Sequence, residues 1–121
     1  MVASEAKPIR LLLVDDHEIV RIGLRTLLSR FPSINVVGEA GSVAEAVSET
    51  ARMTPDVVLL DIRLPDGSGF DACRQIQKQQ TETRVLVLTS INLLRGHILG
   101  LRCSATADRP YRSTAALLDP N

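Results

Sequence analysis

The chain has 121 residues, enough for one domain that buries a core without disulfide support, and its 14 basic and 14 acidic side chains cancel, which removes any whole-chain charge signal for nucleic acid or membrane. Three aromatic residues (Phe31, Phe70, Tyr111) are too few for a base-stacking platform, and Cys73 and Cys103 stand in no metal-ligand spacing, so two free thiols in a reducing cytosol are expected. No apolar run approaches a membrane span, and Glu5 and Lys7 interrupt anything like a signal peptide, so the expectation is a soluble cytoplasmic protein.

Residues 1–8 read as a leader ending at Pro8. Ile9 to Val14 is a short apolar run closed by Asp15-Asp16, and its length favours a strand. From His17 the period changes: Val20, Leu24, Leu27, Leu28 and Phe31 share one helical face, and Pro32 stops the helix. His17 is read as starting that helix in preference to ligating a metal. Ile34 to Gly38 is a second, more exposed strand. Ser42 and Glu45 fit a capping box, Val43, Val47 and Ala51 follow at helical spacing, and Thr54-Pro55 ends the segment.

Val57 to Leu60 is a third strand ending in Asp61. Pro65-Asp66-Gly67 follows as a turn, with Asp66 read as turn chemistry. Ser68 or Gly69 opens a helix with Phe70, Cys73 and Ile76 on one face, closed by a polar stretch from Lys78. Val85 to Leu88 is a fourth strand, ending at Thr89-Ser90. Strands alternating with helices predict an α/β fold, a doubly wound parallel sheet with helices on both faces. Beyond Ser90 the regularity fades. Residues 91–101 could form a short helix interrupted by Gly96 and Gly100, no strand is expected over 102–121, and Ala115 to Leu118 could make one helical turn.

The strand ends carry the chemistry. In a parallel sheet Asp15, Asp16, Asp61 and Thr89 fall on one edge, where open α/β sheets bind ligands. If the first and third strands are neighbours, three carboxylates converge and repel, so some would protonate unless a cation is present, and oxygen-only donors favour a hard ion such as Mg²⁺. Asp61 could then act as a nucleophile on a phosphoryl group, with the Thr89 hydroxyl bonding a phosphoryl oxygen. Taken singly, an acid after a strand is more often a helix cap or turn residue than a functional group; the conjunction in this order is the specific signal.

Leu-Val-Asp-Asp-His-Glu (13–18) with Arg21 and Gly23-Leu24, Val-Gly-Glu-Ala (37–40), the run Pro55 to Gly69 and Val-Leu-Val-Leu-Thr-Ser (85–90) together resemble the receiver domain of bacterial two-component response regulators, of the NarL/LuxR class. The resemblance implies a flavodoxin-like sheet of strand order 2-1-3-4(-5), with the fifth strand unsettled. It implies that Asp61 accepts a phosphoryl group from a sensor histidine kinase. It implies that Asp15 and Asp16 hold Mg²⁺, Asp16 the more direct ligand, with Asp61 and the backbone carbonyl of Arg63 completing the protein's share, and that Thr89 is the switch hydroxyl. Output would be transcription control through a domain not expected in this chain, so no direct nucleic-acid contact is expected, nor a membrane one; a homodimer is a further expectation.

The resemblance covers residues 9–90 as a receiver core and departs over 91–121. The lysine such a domain places about 22 residues after the threonine falls on Tyr111, no lysine follows Lys78, and the aromatic position falls on Asp108. A reading-frame change near Asn92, or a diverged or truncated receiver with a rebuilt edge, would explain the break. The intact acids favour a phosphoacceptor; the missing lysine favours the alternative, a phosphorylation-independent dimerisation or interaction module. A Mg²⁺-dependent phosphatase with an acid nucleophile is the weakest reading, because Asp61 is followed by Ile62 and Arg63 where such enzymes carry Asp-x-Asp. The chain is therefore expected to be a signalling domain and not an enzyme.

Overall fold

A computed structural model describes residues 7–80 and 82–88 in full, and the backbone of residues 100–103 and 111–113. Strand β1 (Ile9–Val14) leads through Asp15-Asp16 into α1 (Glu18–Leu28), with His17 as N-cap. Strand β2 (Ile34–Ala40) runs two residues longer than its apolar run suggests. Helix α2 (Val43–Met53) follows, then β3 (Val57–Asp61). A short antiparallel ribbon, β4 (Arg63–Leu64) and β5 (Gly67–Ser68), surrounds the Pro65-Asp66 turn. Helix α3 (Gly69–Gln79) and β6 (Arg84–Leu88) complete the regular part, and β7 (Gly100–Cys103) and β8 (Tyr111–Ser113) lie beyond it.

The sheet order is β2-β1-β3-β6-β7-β8. The first four strands are parallel and reproduce the 2-1-3-4 order of a flavodoxin-like receiver. The last two differ from expectation. β7 pairs antiparallel with β6, and β8 antiparallel with β7, so two strands exist where none is expected over 102–121. The physical reason is local: β6 would otherwise leave a row of unpaired N–H and C=O groups, and any extended segment satisfies it regardless of side-chain pattern. Of the helix expected over 91–101, Gly100 and Leu101 lie in β7 and the rest is outside the described residues, as is Ala115 to Leu118.

The two faces of the sheet are unequal. Leu12, Val14, Val58, Leu60, Val85 and Val87 pack with Val43 and Ala46 of α2 and Ala72, Cys73 and Ile76 of α3 into one continuous core. Cys73 is fully buried there and is disulfide-bonded, against the expected free thiol; α3 lies against the backbone of β7, which brings the distal chain to it. The buried face of α2 is Val43, Ala46 and Thr50, with Val47 half-buried and Ala51 exposed. On the other face α1 has no buried residue. A cavity of about 290 Å³ with an all-apolar lining lies between Leu24, Leu27 and Leu28 of α1 and Leu11, Leu59 and Leu86 of the sheet.

Helix starts are set by side-chain caps. Ser42 accepts the amide of Glu45 at 3.1 Å, as its capping box predicts, but the Glu45 carboxylate takes the Gly41 amide instead of the Ser42 one. Ser68 and Asp71 form a complete box at α3. Gly69 must be glycine: a Cβ there would stand 2.5 Å from the Asp61 carbonyl oxygen. That close approach seats the start of α3 directly against the end of β3.

Candidate functional site

Strands β1 and β3 are direct neighbours, with Val14 opposite Leu60, so Asp15 and Asp61 leave the sheet side by side. One ligand atom from each of Asp15, Asp16, His17 and Asp61 lies within 4.8 Å of the others. Asp15 and Asp61 are buried, at 5% and 6% exposure, and the Asp16 carboxylate is one-third exposed. The three predicted acids are thus brought together, from the end of β1 and the end of β3.

Burial is the largest cause of a raised Asp61 pKa, and the charge of Asp15 adds to it. The amides of Arg63 and Ile62 pull the other way, and Asp16 raises it further. The Arg63 amide stands 3.5 Å from Asp61 Oδ1, too long for much compensation. An anionic Asp61 in this setting lacks a counter-charge, and a cation would supply one. The donors are carboxylate oxygens, which suit a hard divalent ion better than a soft one.

His17 does more than start α1. It makes no side-chain cap. Its Nδ1 stands 3.1 Å from Asp15 Oδ1 and 2.9 Å from Asp16 Oδ1, and its amide donates to Asp15 Oδ1 at 2.8 Å. The hydrogen bond to Asp15 is the main cause of a raised His17 pKa, with the charges of Asp16 and Asp15 behind it. Any divalent ion between these carboxylates would compete with the imidazolium.

Asp66 is not turn chemistry alone. Its Oδ1 accepts the amide of Val43 at 2.7 Å and its Oδ2 that of Ala44 at 3.0 Å, so the loop after Asp61 caps α2 across 23 residues of sequence. Those bonds hold its pKa below the ordinary value. Spacing within one segment could not have found this pairing. Arg63 is exposed on the same ribbon. Thr89, the predicted switch hydroxyl, lies outside the described residues, as does Asp108; Tyr111 falls in β8.

The profile of the response regulator receiver domain matches residues 11–102. The DNA-binding transcriptional activator DevR/DosR of Mycobacterium tuberculosis is 51% identical over 82 residues, 68% of this chain and 38% of that protein. A LuxR-family two-component response regulator from Aurantimonas is 41% identical with a TM-score of 0.64, over 67% of this chain and 58% of that one. The signal receiver domain of NarL from Mycobacterium tuberculosis is 35% identical with a TM-score of 0.66, over 70% and 68% of the two chains. The chain thus spans about two fifths of the length of the curated relatives it matches. Among the described residues, no helix is long and apolar enough to cross a membrane.

Proposed function

The chain belongs to the response regulator receiver domain family, and on that premise we propose that Asp61 accepts a phosphoryl group from a sensor histidine kinase in a Mg²⁺-dependent reaction. The observation that carries this is the convergence of Asp15, Asp16 and Asp61 within 4.8 Å at the carboxyl edge of the sheet. In the transfer, an Asp61 carboxylate oxygen forms a bond to phosphorus as the bond from phosphorus to the donor breaks. The donor group leaves with the electron pair. Asp15 and Asp16 would hold the metal, with Asp61 and the Arg63 carbonyl as further ligands. When bound, the ion supplies positive charge to the phosphoryl oxygens. Thr89 is assigned as the hydroxyl that meets a phosphoryl oxygen. The protein acts in the cytoplasm and controls transcription through an output region of the kind its longer relatives carry.

Intact mass after incubation with Mg²⁺ and acetyl phosphate tests the assignment. One phosphoryl adduct is expected, lost in Asp61→Asn and without Mg²⁺. No adduct under forcing conditions would overturn it and favour the second reading, a phosphorylation-independent dimerisation or interaction module. That reading draws on one observation, the absence of any lysine after Lys78. The same absence predicts weak coupling of phosphorylation to conformation, and a strong phosphorylation-driven change in oligomeric state would contradict it. The receiver core is assigned to residues 9–90 and the altered tail to 91–121. Sequencing the encoding DNA around Asn92 tests whether a shifted frame restores the glycine-tyrosine-lysine pattern.

A further inference from the structure

The two peptide units that flank Asp15 are each held by one hydrogen bond. The Asp15 amide donates to the Ala40 carbonyl at 3.0 Å. The Asp15 carbonyl accepts a hydrogen bond from Nη1 of Arg21, six residues further on in α1. The guanidinium is itself fixed: its Nε donates to Glu39 Oε1 at 2.9 Å, and the other Glu39 oxygen takes Arg25 Nη1, also at 2.9 Å. The Arg21 side chain is 19% exposed, so this is not a loose surface pair. By contrast, the Asp16 carboxylate has the His17 ring as its one side-chain contact among the described residues, and the backbone sets where its Cα–Cβ bond leaves the chain.

We propose that Arg21 is a positioning residue for the metal site: braced by Glu39, it fixes the Asp15–Asp16 peptide plane and so aims the Asp16 carboxylate. This rests on the metal reading above. A planar fork with donors on separate nitrogens can hold the Glu39 carboxylate and the Asp15 carbonyl at once, which a single ammonium does less well. Residues that orient a ligand in this way commonly matter to metal affinity.

Two other roles for Arg21 predict different results. If it acted only as a nearby positive charge, removing it would lower repulsion and tighten binding of a divalent cation. If it only tied α1 to β2, metal affinity would not move once the protein is folded. Positioning alone predicts weaker binding on loss of a positive charge.

Mg²⁺ affinity measured by titration calorimetry on the full chain separates these. Arg21→Ala and Arg21→Met should weaken Mg²⁺ binding by about tenfold or more. Arg25→Ala, which loses a contact to Glu39 but none to Asp15, should leave it nearly unchanged. Equal or tighter binding in a folded Arg21→Ala or Arg21→Met protein overturns the proposal. If neither neutral variant folds, Arg21→Lys decides: it keeps charge and stem, weaker binding is expected, and unchanged affinity overturns the proposal. Absence of Mg²⁺ binding in the unaltered protein would instead remove the metal reading, and this inference with it.

Discussion

Asp61 is buried beside two other acids, so its charge costs the metal-free fold stability. Its pKa is raised above 3.8, so the folded state binds more protons than the unfolded state between 3.8 and the raised value. Metal-free stability attributable to Asp61 therefore falls as pH rises through that window, and the cost persists above it. Asp61→Asn is expected to melt higher than the unaltered protein at neutral pH in chelator. The difference should shrink as pH drops below the window, and a variant that melts lower at neutral pH would contradict it. Asp66 has the opposite sign. Its depressed pKa means that its bonds to Val43 and Ala44 stabilise the fold above 3.8 and are lost as pH falls through the lowered value. Asp66→Ala should lower the melting temperature at neutral pH and lose that difference in acid. Thr50 is a third residue with a definite expectation. It is fully buried and its hydroxyl has no partner among the described residues. Thr50→Val should raise stability by about 1 kcal/mol in urea unfolding.

The site acids were readable from residue order because each closes an apolar run, and a strand that ends in an acid leaves it at the edge. Asp66 was not readable as a cap, because its partners lie 23 residues away in a different element. The same contrast runs through the elements. β1, β3 and β6 follow their apolar runs closely. Helix faces were less legible: α2 buries Ala46 and Thr50 where spacing alone favours Ala51, because α3 packs against one side of it and selects the face. In β3, neighbouring leucines look alike in sequence and differ in place. Leu60 is 1% exposed within the core on the α2–α3 face, whereas Leu59 is half-buried against the apolar cavity on the α1 face. Leu60→Ala should cost about 2–5 kcal/mol and Leu59→Ala clearly less. Equal losses in denaturant unfolding would show that the two faces are equally packed.

At the scale of the molecule, and among the described residues, the sheet has one layer packed into a continuous core and one that α1 covers in part. Ile9 and Leu27, which line the apolar cavity on that second face, remain 44% and 42% exposed. The parallel order of β2, β1, β3 and β6 was legible because alternating strands and helices leave few topologies. The antiparallel β7 and β8 were not, because backbone pairing at an open edge asks little of side chains. What the four parallel strands secure is the meeting of the ends of β1 and β3. Beryllofluoride, a tetrahedral analogue of a phosphoryl group that binds to carboxylates, tests most directly what those ends hold, through ¹⁹F resonances of the bound species. Bound resonances are expected with Mg²⁺ present, lost in Asp61→Asn and on removing Mg²⁺. Bound resonances that persist in Asp61→Asn, or none in the unaltered protein with Mg²⁺ in excess, would contradict the assignment of Asp61 as phosphoacceptor.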